Sequence, residues 1–282
     1  MRHQKYRHIE VRPIAGALGA EVDGVDLSRP LDDGTIDEIR QAFLNNLVIF
    51  FRNQTLTPHE QLAFAQRFGE PMEYPQLKGL PDCPLITSVI KLEHERINFG
   101  GVWHSDTSYL ECPPLASMLY AVDIPPYGGD TLFANQYLAY DSLSDGLKQT
   151  LAQLLGVNTS ANPEMARTRQ HRQADDGVSL KVLEASHPAV RTHPETGRKA
   201  LYVNTAHTSR FKGWTEEESR PLLDYLAKHQ IQPEFTCRLK WEPGTLAVWD
   251  NRCTQHYPMN DYHGHKRVMH RVTLAGDEPR SH

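Results

Sequence analysis

Apolar positions along the chain recur with two different periods, and the change from one to the other marks the elements. After Pro30-Leu31-Asp32-Asp33-Gly34, the residues Ile36, Ile39, Phe43 and Leu44 fall at helical spacing. Thr57-Pro58-His59-Glu60 reads as a cap with proline at the first helical position, predicting a helix through Phe68 that ends at Gly69. Leu138, Tyr140, Leu143, Leu147, Leu151 and Leu154 predict one helix over residues 137–155. Thr215-Glu216-Glu217-Glu218 sets a glutamate three residues after a threonine, a capping-box pattern, and Leu222, Leu223, Tyr225 and Leu226 follow it.

Between these lie shorter stretches with strand character. Val48-Ile49-Phe50-Phe51 is a continuous apolar run too brief for a helix and is read as a buried strand. Residues 84–90, 117–122, 189–192, 200–203, 235–241, 246–249 and 268–274 also read as strands. Residues 9–27 alternate weakly and are broken by Gly16, Gly19 and Gly24, which predicts short strands and turns. Residues 71–84 are proline-rich and irregular. Residues 157–180 are polar and aperiodic and are expected to form a lid or a partly disordered excursion. Two strand-rich regions flank the helices with no repeat and no linker composition, so one domain over residues 1–282 is expected.

Composition narrows the class of protein without naming an activity. Hydrophobic residues make up 39% and charged residues 23%, a globular balance, and the formal net charge is −5. No long basic stripe appears, so nucleic acid is not an expected partner. No run approaches the roughly 18 apolar residues that span a bilayer, and the polar start Met1–His8 lacks the apolar stretch of a secretory signal. Cys83, Cys112, Cys237 and Cys253 are scattered and form no CxxC pair. Reduced thiols and a cytoplasmic location are therefore expected, with no membrane partner and a homo-oligomeric state.

Three clusters carry candidate chemistry. In Val102-Trp103-His104-Ser105-Asp106-Thr107, an extended backbone would point His104 and Asp106 to one face, where they suit adjacent positions on a metal. A surface histidine beside a solvated aspartate would read the same way. Trp249-Asp250-Asn251-Arg252-Cys253-Thr254-Gln255-His256 starts at the end of an apolar strand and runs into a turn expected to present His256. Two histidines and one carboxylate with open positions form the donor set of non-haem iron(II) oxygenases. In Lys266-Arg267-Val268-Met269-His270-Arg271, a strand would put Arg267, Met269 and Arg271 on one face. Two arginines inside an otherwise apolar barrel would each require an anion; on an outward face they would simply be solvated.

Taken together these motifs resemble a known family. The matching stretches are Gly19-Ala20-Glu21-Val22-Asp23-Gly24-Val25-Asp26-Leu27, Phe68-Gly69-Glu70, Trp103-His104-Ser105-Asp106, Gly128-Gly129-Asp130-Thr131, Thr192-His193-Pro194, Trp249-Asp250-Asn251-Arg252 and His270-Arg271. Along nearly its whole length the chain is similar to the taurine dioxygenase branch of the iron(II)/2-oxoglutarate-dependent dioxygenases, which also contains aryloxyalkanoate dioxygenases. The resemblance implies a mainly β fold with surrounding helices and a double-stranded β-helix, or jelly-roll, core. It implies Fe(II) on His104, Asp106 and His256, with 2-oxoglutarate and O2 as cosubstrates. The distal carboxylate of 2-oxoglutarate would lie on Arg267 and the hydroxyl of Thr131, and Arg271 would hold the anionic head of a small organic substrate. Such an enzyme hydroxylates that substrate and releases succinate and CO2. An aspartate at position 106 argues against a halogenase, which leaves that ligand position to halide.

The substrate shell departs from the taurine pattern. Taurine dioxygenases carry a histidine where this chain has Tyr74, an asparagine where it has Gly100-Gly101, and a phenylalanine where it has His207. Tyr74 and His207 are thus candidate substrate contacts, and another sulfonate, a sulfate ester or a carboxylate is expected in place of taurine. Two rival functions use the same residues. A zinc hydrolase would use His104, Asp106 and His256 but leave Thr131 and Arg267 without a role. A non-catalytic small-anion binding protein would have no need of the full ligand set.

Overall fold

The computed structural model describes residues 6–75, 77–162 and 181–282. The first half runs β1 (Glu10–Pro13), β2 (Ala20–Asp23), α1 (Asp33–Asn46), β3 (Val48–Phe51), α2 (Pro58–Gln66), β4 (Pro71–Met72), β5 (Ile86–Lys91), β6 (Ala116–Asp123) and β7 (Thr131–Asn135). Then come α3 (Gln136–Asp141), α4 (Asp145–Leu151), β8 (Leu155–Thr159), β9 (Glu184–Pro188), β10 (Val190–Thr192), β11 (Lys199–Leu201), β12 (Thr208–Phe211) and α5 (Glu216–His229). The last four strands are β13 (Thr236–Leu239), β14 (Leu246–Asp250), β15 (Thr254–Pro258) and β16 (Arg267–Leu274).

The fold is mainly β: a double-stranded β-helix with helices outside it. Its larger sheet runs β1-β2-β3-β14-β6-β16-β4, with β5 also paired to β16, and a second sheet runs β13-β7-β15. Strand residues alternate between faces, so β3, β6, β14 and β16 of the larger sheet each serve two cores. Val48 and Phe50 join Ala247, Trp249 and Met269 in the barrel interior, against Phe133, Cys237 and Leu239 of the second sheet. Ile49 and Phe51 join Val248, Val272 and Leu274 on the outer face, under Ile39 and Phe43 of α1 and Phe64 of α2. That two-sided burial is why 48–51 is apolar without a break.

Caps fix the helices where the sequence places them. The Asp32 carboxylate accepts the Thr35 N–H at 2.9 Å to start α1. Thr57 with Glu60, and Thr215 with Glu218, form reciprocal capping boxes at α2 and α5. Leu47 takes the left-handed conformation (φ 65°) and turns α1 directly into β3.

Residues 137–155 depart from the expected single helix. Asn135 Oδ1 accepts the N–H groups of Tyr137 and Leu138 and starts α3, whose end is marked by the Ser142 hydroxyl donating to the Ala139 carbonyl. The Ser144 side chain then caps a separate α4, and Leu155 already belongs to β8. The apolar spacing survives the break because Ala139, Leu143 and Leu151 still enter one core. The expected excursion at 157–180 is likewise shorter at its start: β8 pairs with β9 and β12, and residues 163–180 lie outside the described residues. Among the described residues no helix is long and apolar enough to cross a membrane.

Candidate metal centre

Backbone pairing brings the two histidines together. His104 donates its N–H to the His256 carbonyl at 3.1 Å, and His256 donates to the His104 carbonyl at 2.8 Å. Their rings lie 4.1 Å apart between centroids. His256 sits within β15, directly opposite Phe133 of β7, so its ring faces the barrel interior. The expectation of a turn at His256 is thus corrected: the turn lies at 251–253 and the histidine is a strand residue. Past His104 the extended backbone ends, and Thr107 in a left-handed conformation (φ 42°) bends the chain behind Asp106.

The donor atoms of His104, Asp106 and His256 lie within 4.8 Å of one another, all buried. Asp106 Oδ1 is 3.6 Å from His104 Nε2 and 3.9 Å from His256 Nε2. Asp106 Oδ2 accepts the Ser117 hydroxyl at 2.6 Å and meets Arg271 at 2.5 Å, whereas Oδ1 is buried with no hydrogen-bond partner among the described residues. His104 Nδ1 lies 2.6 Å from the Val102 carbonyl, which requires the proton on that nitrogen and turns the Nε2 lone pair toward Asp106. Burial alone would raise the Asp106 pKa, but Arg271, then the two histidines and Ser117, hold the carboxyl well below the usual range. Burial and then His104 push His256 well below its ordinary value, against the opposing pull of Asp106. A buried carboxylate oxygen and two imidazole nitrogens on one point fit a divalent cation.

The same pocket holds the two arginines. Thr131, Arg267 and Arg271 line it with His104, His256 and Trp241. Arg267 is buried, and its Nε and one terminal nitrogen have no hydrogen-bond partner among the described residues. Thr131 Oγ1 accepts the Trp241 indole N–H at 3.0 Å. A cation with open donors beside a hydroxyl fits an anion such as a carboxylate. Arg271 differs, because it already meets an anion within the protein. Besides Asp106 it donates to Ser117 Oγ at 3.1 Å, and its guanidinium lies 4.5 Å over the Tyr74 ring. Tyr74 is buried and packs on Phe99. His207 is buried, edge-on to Tyr109 at 5.0 Å and to His104 at 6.3 Å.

Sequence reasoning missed the residues that hold Asp106. Asn251 donates to Ser117 Oγ at 3.0 Å and accepts the Trp249 indole N–H at 2.9 Å. Trp249 in turn lies 4.8 Å from the His256 ring. The available signal was a serine at 117 on the inner face of an apolar strand, beside an asparagine that directly follows β14. A second buried cluster lies around Asp250 on the other face of β14. Asp250 takes Arg252 at both carboxylate oxygens (2.8 and 2.7 Å) and His193 Nε2 at 3.0 Å. Arg252 continues to Glu195 at 2.7 Å, and Glu195 to Arg40 at 2.8 Å. Cys253 lies in this cluster with its thiol pushed well up by burial, consistent with an inert side chain.

Comparison with known proteins identifies the family. Residues 10–273 match the family described as taurine catabolism dioxygenase TauD, TfdA family. An alpha-ketoglutarate-dependent sulfate ester dioxygenase from Pseudomonas putida is 37% identical over 280 residues, covering 96% of this chain and 91% of its own. An alkylsulfatase from Acinetobacter baylyi is 35% identical, covering 96% of this chain and 86% of its own. The crystal structure of a taurine dioxygenase from Burkholderia xenovorans superposes with a TM-score of 0.82 at 38% identity, covering 97% of this chain and 91% of that one.

Proposed function

The chain belongs to the TauD/TfdA dioxygenase family, and from that premise we propose that His104, Asp106 and His256 hold its iron(II), that Thr131 and Arg267 hold the far carboxylate of 2-oxoglutarate, and that Arg271, Tyr74 and His207 face a sulfate ester. The protein is an iron(II)- and 2-oxoglutarate-dependent dioxygenase that hydroxylates a small anionic substrate and releases succinate and CO2. The observation that carries the site assignment is the unpartnered Asp106 Oδ1, held within 4 Å of two imidazole nitrogens in the pocket that also contains Arg267.

Bound there, iron(II) supplies the activation of O2 that couples decarboxylation of 2-oxoglutarate to hydroxylation of the substrate. Each protein group has a physical task. The backbone pair between His104 and His256 sets the spacing of the two rings, and the Val102 carbonyl fixes one tautomer. Ser117 and Arg271 keep Asp106 ionised and fix its rotation, leaving Oδ1 for the cation. Phe133 and Trp249 wall His256 from bulk water, which strengthens the charge interactions around it. Arg267 offers its open nitrogens to the cosubstrate, and Arg271 sets one substrate C–H by holding the charged head.

The sulfate ester reading rests on the names of two relatives at 37% and 35% identity. Hydroxylation of the carbon bearing the ester oxygen gives a sulfated hemiacetal, which collapses to an aldehyde and free sulfate. An aerobic screen of alkyl sulfates, sulfonates and aryloxy acids with iron(II) and 2-oxoglutarate tests it. Stoichiometric succinate and sulfate from an alkyl sulfate are expected; succinate coupled only to sulfonates or carboxylates removes the sulfate ester. The proposal extends to one domain, supported by an outer core drawn from Ile9 to Leu274, and to a homo-oligomer in the cytoplasm. Light scattering tests the oligomer, and a monomer mass would remove it.

A further inference from the structure

β5 and β16 pair antiparallel in a register that sets Lys91 directly opposite Arg267, Val89 opposite Met269, and Thr87 opposite Arg271. Residues directly opposite in such a pair point to the same face. Lys91 therefore points into the barrel beside the arginine assigned to 2-oxoglutarate. It lies about 13 Å along the strand from the level of Arg271, at roughly 3.3 Å per residue. Lys91 is 3% exposed, and its Nζ has no hydrogen-bond partner among the described residues. Nζ lies 4.5 Å over the Tyr262 ring, and Tyr262 also borders Arg267.

Two buried cations opposite one another are destabilising unless an anion joins them. Here Nε and a terminal nitrogen of Arg267 and Nζ of Lys91 are all open. The neighbouring acids act on these cations only through charge at a distance, Glu95 on Lys91 and Asp130 on Arg267, since Asp130 meets Arg238 at 2.6 Å and Glu95 accepts the Leu92 N–H at 2.5 Å. The aromatic face of Tyr262 stabilises the ammonium only in part. We propose that Lys91 is a second cation for the far carboxylate of 2-oxoglutarate and makes the pocket selective for 2-oxo diacids over 2-oxo monoacids. This inference rests on the assignment of Arg267 to the cosubstrate.

The test is anaerobic calorimetry on iron(II)-loaded protein, titrating 2-oxoglutarate and, separately, the monoacid 2-oxobutyrate. Lys91→Met keeps the length and the contact with Tyr262 and removes the charge; Lys91→Gln does so while keeping a donor. Both variants should bind 2-oxoglutarate about tenfold more weakly, the usual size for one charged hydrogen bond. Binding of 2-oxobutyrate should stay as it is, so the diacid preference narrows. The ligand-free melting temperature of Lys91→Met should hold or rise, because a buried charge without a hydrogen bond has been removed. Equal losses for diacid and monoacid, or unchanged 2-oxoglutarate binding, overturn the proposal. Arg267→Ala separates the two levels: if it weakens 2-oxoglutarate and the Lys91 variants do not, only the role of Lys91 fails. If neither position matters, the cosubstrate assignment fails with it.

Discussion

Strand β14 separates two buried clusters built from the same chemical parts. On its interior side Asp106 meets His104, His256 and Arg271; on its outer side Asp250 meets His193 and Arg252. The difference lies in saturation. At Asp250 both carboxylate oxygens are taken, and His193 is engaged at both ring nitrogens, with Nδ1 accepting the Glu195 and Thr196 N–H groups. At Asp106, Oδ2 is taken, while Oδ1 has no hydrogen-bond partner among the described residues. A saturated cluster locks elements together, whereas one with a donor left over is suited to a cation. The donor atoms of His193, Asp250 and Cys253 lie as close together as those of His104, Asp106 and His256, within 4.8 Å, so counting residue types would not tell the two clusters apart.

Substitutions at each cluster should separate the two roles. The largest effect is expected from His104→Ala, which should lower turnover by more than about 100-fold, since even partners one layer outside a metal often cost that much. Iron binding by calorimetry and turnover should fall together; retained iron binding would break the comparison. Arg252→Met should act on folding, because removing one partner of a buried pair typically costs about 3–5 kcal/mol. Urea unfolding reads this, and the folded fraction should still bind iron(II). Arg267→Ala lies between the two cases, removing a cation whose proposed partner is the cosubstrate. It should weaken 2-oxoglutarate by about 2–5 kcal/mol without loss of ligand-free stability in urea. Ser117→Ala should loosen Asp106 at a cost of about 1–3 kcal/mol in iron affinity.

The smallest effect concerns acid. Burial would raise the pKa of Asp250, but Arg252 and then His193 outweigh it, so the folded value lies below the ordinary one. Its stabilising contribution is therefore fully present above the unfolded value of about 4 and is lost as pH falls toward the folded value. In Arg252→Met burial acts with less opposition, so the folded value rises toward the unfolded one and this acid-dependent loss shrinks, giving a shallower fall than in the unaltered protein. Unfolding measured between pH 6 and pH 3 checks the slopes of the two curves.

Much of this was legible in the chain because it rests on local patterns. Thr57-Pro58-His59-Glu60 and Thr215–Glu218 specify their helix starts with neighbouring residues alone. The continuous run at 48–51 signalled a strand because a strand between two cores has no polar face. His104, Asp106 and His256 were legible as residue types, but their convergence depends on a backbone bridge between distant segments. The grip of Ser117 and Asn251 on Asp106, and the pairing of Arg271 with that carboxylate, are contacts that no local period carries. The break within 137–155 was missed for a related reason. Apolar spacing reports which residues face the core, while Ser142 and Ser144, which interrupt the helix, are polar and silent in that pattern.

The paired backbones of His104 and His256 bear on how the protein matures. During synthesis the first histidine and the aspartate leave the ribosome long before the second histidine. Until β15 docks beside β7 a nascent chain carries an incomplete donor set. On the proposed assignment metal loading is tied to completion of the barrel, and a truncated chain ending before residue 254 is expected not to retain iron through these side chains.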